Sequence, residues 1–252
     1  GMSFQDAVRT LAGEDFKTIP ATQAEHKAKP PERTAFALPP KNNGNRRVFA
    51  YLHRSRGIAA EIVNHCIKYD LLYEDAQHHN AVFVGKDENN NARYAFLRGT
   101  LTDSHFRQEA TGSDKSYGFF LRGSGKTLFV CEAAIDALSI ATLRKFGGLD
   151  WKSDSYLALG GVTASERKLP VALERTLNNF SFKRVVLCFD NDAAGQTAAR
   201  RIFTMLRQRF PENLEVRTCV PKVKDFNDQL CVKLQNGKNS PSRGTRESNL
   251  SR

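Results

Sequence analysis

The stretch "GSGKTLFVCEAAIDAL", Gly123–Leu138, decides how the chain is read. It opens like a phosphate-cradling loop and continues through an apolar run to two acids, Glu132 and Asp136. A Walker-type loop requires GxxxxGK[ST] after a strand and at the opening of a helix. Here Phe120 stands five positions before Gly125, and Lys126-Thr127 precede the apolar run "TLFVC" instead of following it. The helix N-terminus that would hold a phosphate is on the wrong side. Gly123 and Gly125 are therefore expected to form a turn into a strand, and the chemistry moves to the acids beyond it.

From Lys126 onward, strands and helices alternate. "TLFVC" is a continuous apolar run of the kind that a strand buried on both faces needs, and "SYLAL", "RVVLCF" and "LEVRTCV" are expected to be the further strands. Between them lie "AAIDALSIATLRKF", "ASERKLPVALERTLNNF" and "AAGQTAARRIFTMLRQRF", expected to be helices. This alternation implies an α/β fold with a parallel sheet and helices on both of its faces. Ligands of such sheets gather at the carboxyl ends of the strands. Upstream, "RVFAYLHRSR" and "AAEIVNHCIKYDLL" carry apolar residues at helical spacing, and "NAVFVGKDENNNARYAFLRG" reads as two strands about an Asn-rich turn. "KSYGFFLRG" adds a short strand to that first unit. The expected organisation is an arm or linker over 1–46 with a short helix near its start, a small α+β unit over 47–123, the parallel-sheet domain over 124–234, and a disordered basic tail over 235–252.

The formal net charge is +11, which favours polyanionic partners without choosing among nucleic acids and membrane surfaces. No apolar run approaches the roughly 18 residues that cross a bilayer, and no secretory signal opens the chain, so a cytoplasmic protein without a membrane partner is expected. The five cysteines form no CxxC pair and are expected to be reduced and mostly buried.

Glu132 follows the first strand of the sheet, and Asp136 comes four residues later, a spacing that puts two side chains on one helical face. Asp190 and Asp192 close the third strand at i and i+2, a spacing that aims both the same way in extended chain. Up to four carboxylates then meet in one crevice, where their mutual repulsion calls for a cation. Mg²⁺ suits such an oxygen-only set and keeps open positions for phosphate. Acids near helix N-termini also simply complement the helix dipole. A DxD after a strand fits haloacid-dehalogenase-like phosphotransferases too, although Ala194 stands where they carry Thr or Val.

"LFVCEAAIDAL", "LALGGVTA" and "VVLCFDNDAAGQTAA", followed by "KDFND" (Lys224–Asp228), together resemble the Toprim domain. That domain is shared by DnaG-type primases, topoisomerases and some nucleases. Upstream, "YLHRSRGI" and "DKSYGFFLRG" resemble primase elements, and the whole arrangement is similar to primase-like proteins of plasmids and conjugative elements. The resemblance implies a Rossmann-like Toprim sheet with Glu132 as catalytic acid/base or metal ligand, Asp136, Asp190, Asp192 and Asp225 as metal ligands, and Gly160-Gly161 as the site turn. It implies Arg98, Lys115 and Arg122 as phosphate or nucleic-acid contacts, and Mg²⁺ or Mn²⁺ as cofactor. The implied activity is nucleotidyl transfer from nucleoside triphosphates on a single-stranded DNA template, with a helicase or relaxase as a further partner. A Toprim nuclease and a non-catalytic DNA-binding module are the alternatives.

Overall fold

A computed structural model describes residues 35–101, 105–161 and 168–239. The chain enters through a short helix α1 (Arg46–Ala50), which widens at once into a π-helical turn, Tyr51–Ser55. Helix α2 (Ala60–Lys68) follows and buries Ile62, Val63 and Cys66. The sequence pattern carried this helix to Leu72, but the backbone turns at Asp70, whose φ is 53°. Leu72 instead starts a strand, β1 (Leu72–Glu74). It pairs antiparallel with β2 (Ala81–Lys86), then β3 (Ala92–Arg98) and β4 (Arg107–Glu109), giving a four-stranded sheet in the order β1-β2-β3-β4. The two central strands and their Asn-rich turn are those expected. The three-residue outer strands are too short to carry a period.

The second sheet holds five strands in the order β5-β7-β6-β8-β9: β5 (Phe119–Leu121), β6 (Thr127–Cys131), β7 (Ser155–Ala158), β8 (Arg184–Cys188) and β9 (Glu215–Thr218). Strands β7, β6, β8 and β9 are parallel, and β5 runs antiparallel on β7. The strand at Phe119–Leu121, read from sequence with the first unit, is thus hydrogen-bonded into the second sheet. Helix α3 (Ala134–Phe146) links β6 to β7, α4 (Val171–Asn179) precedes β8, and α5 (Ala193–Arg209) links β8 to β9. Helix α4 was expected from residue 164; the described part starts after Pro170, which occupies the N-cap. A further helix, α6 (Phe226–Asn239), was not foreseen and takes in residues 235–239, expected as tail. The remaining calls, on 1–34 and on 240–252, lie outside the described residues.

Because β7 and β8 lie on opposite sides of β6, the connections cover opposite faces. Alternate side chains sort accordingly. Phe129, Cys131, Tyr156, Val186 and Cys188 join α3 and α6 in one apolar cluster. Leu128, Val130, Leu157, Leu187 and Phe189 join α4 and α5 in the other. The first cluster continues without a break into Val48, Leu52, Ile62 and Phe83, so the two sheets share a core.

The Gly-rich turn before β6 packs against the segment leading into β7. Ser124 and Gly125 donate backbone hydrogen bonds to the carbonyls of Lys152 and Ser153. A Cβ on Gly123 would lie 2.0 Å from the Asp154 carbonyl oxygen. This turn sits at the amino end of β6, at the edge of the sheet opposite Glu132. Gly123→Ala is accordingly expected to cost about 2 kcal/mol of stability, read as a Tm lowered by several degrees. A Walker lysine could not be removed without losing nucleotide, whereas Lys126→Ala should leave any nucleotide affinity, measured by calorimetry, unchanged.

Candidate active site

The strand order reverses about β6, so the crevice at its carboxyl end is where an open α/β sheet offers a ligand site. Glu132 is the first residue past β6. It lies before the Ala133 N-cap of α3, not on the helix, so it and Asp136 do not share a helical face. Asp136 sits in the helix's first turn and is 7% exposed. Gly160 and Gly161, just beyond β7, have φ of 74° and 107°, and both donate their N–H to the Glu132 carbonyl, at 3.0 and 3.2 Å. A left-handed turn of this kind is accessible to glycine at little cost, and it clamps the backbone of the acid.

Asp190 follows β8. Its N–H points to Glu132 Oε1 at 3.4 Å, and the side chain of Gln196 donates to its carbonyl at 3.0 Å. The neighbouring Asn191 N–H donates to the Lys224 carbonyl at 2.8 Å, which ties this loop to the segment holding Asp225. Asn227, almost wholly buried, is the hub of that segment. Its N–H meets Asp136 Oδ1 at 3.3 Å, and its side-chain amide donates to the Arg56 carbonyl and to Ser139 Oγ. Arg56, at the end of the π turn, donates in return to Asn227 Oδ1 at 3.3 Å.

Two adjoining hollows result. One, of about 320 Å³, is lined by Glu132, Asp136 and Asp190 together with Tyr94, Arg107 and the Gly160-Gly161 turn. The other, of about 230 Å³, adds Asp225, Arg56, Arg98 and Lys224 to Asp136 and Asp190. An acidic wall from the second sheet therefore faces a basic wall from the first. Arg98 and Arg107 stand directly opposite each other on β3 and β4. Like charges in that register repel, and Arg98 Nε is buried with no hydrogen-bond partner. An anion bound there would relieve both features.

The carboxylates hold their protons unusually well. Burial, then the charge of Asp190, pushes Glu132 up to about 7. Burial, then Asp225 and Asp190, pushes Asp136 up to about 8. Burial, then Asp225 and Asp192, pushes Asp190 up to about 6. Among the described residues, none of Glu132, Asp136, Asp190 and Asp225 forms an ion pair. Nor do three acids, thiols or imidazoles there close into a ready-made cation cage. The donor set still fits a hard divalent ion in type: all oxygen, crowded and, among the described residues, without an ion-pair partner. Mg²⁺ characteristically binds through one or two carboxylates and keeps waters and substrate phosphates as its other ligands.

The other expected residues are placed unequally. Asp192 lines neither hollow. It caps α5 by accepting the Gly195 N–H at 2.7 Å, and its charge helps to raise Glu132 and Asp190. Asp225 accepts the Asp228 N–H at 2.7 Å. Lys115 reaches the rim indirectly, pairing at 3.0 Å with Glu109, which also accepts the Tyr94 hydroxyl. Arg122 lies elsewhere, over the ring of Phe180. Arg56, Tyr94, Arg107 and Asn227 were not singled out from sequence. Arg107 had no local signal at all, because its relation to the site exists only through its pairing with Arg98.

Residues 129–230 match a family model described as Toprim-like. The chain carries a Toprim-like domain. The segment before it, residues 50–126, matches a family described as a protein of unknown function, DUF3991. No curated protein sequence matches the chain. Among solved structures, the Toprim-like chain resembles the primase fragment of the bacteriophage T7 primase-helicase protein, with 23% identity, a TM-score of 0.51, and coverage of 73% of this chain and 69% of that one. It also resembles the DnaG primase catalytic domain bound to ssDNA, with 13% identity, a TM-score of 0.50, and coverage of 78% and 74%. At these identities the likeness is one of fold. No helix among the described residues is long and apolar enough to cross a membrane.

Proposed function

We propose that this Toprim primase-like protein performs metal-dependent nucleotidyl transfer on single-stranded DNA, in the replication or transfer of a mobile element's DNA. One observation carries the reading: Asp136 and Asp190 share a hollow with Asp225, Arg56 and Arg98, so cation ligands and anion ligands face one another. Asp136, Asp190 and Asp225 would hold Mg²⁺ or Mn²⁺. Bound there, the ion supplies neutralisation of phosphate charge and stabilises the attacking and leaving oxygens. Arg98 and Arg107 bind the triphosphate as fixed cations, and a guanidinium pair suits phosphate geometry. Glu132 Oε2 is the site for the proton of the attacking hydroxyl. With its carboxyl up at about 7, Glu132 is poised between its two forms near neutrality, as a general base should be.

Incubation with labelled single-stranded DNA, nucleoside triphosphates and Mg²⁺ tests this directly. Products longer than the substrate, or new oligonucleotides copied from it, are expected. Shortened DNA would make the same cleft that of a nuclease. No product with or without a helicase or relaxase partner would favour a DNA-binding module.

A further inference from the structure

A second groove, of about 550 Å³, lies away from the carboxylates. Its floor includes Phe120, Leu121 and Arg122 at the end of β5. Because β5 is antiparallel to β7, these residues lie beside the start of β7, at the edge of the sheet opposite Glu132.

Rings line the groove from two sides. On one, Tyr69 is 52% exposed and its ring lies 4.6 Å from that of His65, with Lys68 Nζ over it. On the other, Phe120 and Phe180 stand with their centroids 5.4 Å apart, and the Arg122 guanidinium lies 4.6 Å from the Phe180 centroid. The charges are unequally matched. Each groove acid is neutralised from outside: Asp70 by Lys41, Asp87 by Arg93 and Glu88 by Arg175. Lys68, Lys86 and Arg122 have no ion-pair partner among the described residues. The lining holds three cations and three acids, and with each acid paired from outside, the charges left without an ion-pair partner among the described residues are the cations beside the rings.

We infer that this groove binds single-stranded nucleic acid, with bases stacked on Tyr69 and Phe180 and phosphates drawn to Lys68, Lys86 and Arg122. Rings interleaved with cations are what an unstacked strand requires. A duplex keeps its base faces covered and has no use for the rings, and an acidic peptide would use only the cations. The inference shares single-stranded nucleic acid with the proposed function but does not depend on the chemistry of the acidic cleft.

Fluorescence anisotropy of a labelled oligothymidylate with the full chain, in metal-free buffer, tests it. Tyr69→Ala should weaken binding about tenfold, with affinity for a duplex of equal length changed less than twofold. Lys68→Gln with Arg122→Gln, both at exposed positions, should weaken it similarly and flatten the slope of log affinity against log salt by about 1.4. Both groove variants should still take up Mn²⁺ as the wild type does, which separates the groove from the cleft. Unchanged affinity in both groove variants overturns the inference, as does an equal loss for duplex. An equal loss for a polyglutamate peptide, or a wild type that binds no oligothymidylate, overturns it whatever the cleft does with cations.

Discussion

Titrated with Mn²⁺ at about pH 6.5, the protein should bind the ion with release of protons, and Asp190→Ala should weaken that binding by at least about tenfold. The reason lies in the crowding of the site. With Asp190 held up at about 6 and Asp136 at about 8, part of the ligand set is protonated at that pH, and the ion must displace those protons. Apparent affinity should therefore climb between about pH 5 and 8. Stability of the metal-free protein follows the opposite course. A carboxyl whose pKa is raised by folding stabilises the fold fully below its unfolded value of roughly 4 and loses that contribution as pH rises through the folded value. The metal-free Tm should thus fall from about pH 5 to 8 on account of these groups, and saturating Mg²⁺ should restore it. Calorimetry in buffers of different ionisation enthalpy counts the protons. A Mn²⁺ affinity that is flat with pH and indifferent to Asp190 would remove the cation site.

Glu132→Gln should lower the rate of the proposed transfer by about 10²–10⁴-fold, with oligonucleotide affinity within about twofold of wild type. Glutamine keeps the shape of the side chain and an oxygen for the Asp190 N–H, which Glu132 Oε1 accepts at 3.4 Å. What it removes is the ability to take a proton. In the wild type the rate should rise with pH through the ionisation of Glu132, at or below about 7 once a cation is bound, and that limb should vanish in the variant. Single-turnover rates across pH measure both. A variant within about fivefold of wild type would mean that the Glu132 side chain is only structural, an acceptor for the Asp190 N–H.

Much of the second sheet was legible because its signals are local. A strand buried on both faces must be apolar throughout, and β6 and β8 announce themselves in "TLFVC" and "RVVLC". The acid after each is read from position alone, since the carboxyl ends of parallel strands share one edge. Short elements were lost. Three residues of β1 or β4 carry no measurable period, and α6 begins inside a stretch read for its acids. The pairing of β5 was misread because its sequence neighbours lie in the first unit while its hydrogen-bond partner, β7, comes more than thirty residues later.

By itself the sequence determined the α/β order, the exclusion of a Walker loop, and which acids stand at strand ends, because each depends on residues close together in the chain. Only the tertiary structure decided how those acids divide. Asp192 turns back to cap its own helix, whereas Asp136, Asp190 and Asp225 line a common hollow through the Asn191–Lys224 and Asn227–Asp136 contacts. Only the fold, too, set Arg98 and Arg107 against them and carried Arg122 to the far edge. Electrostatic energy depends on distance and burial, and neither exists for these groups until two sheets have packed on one core.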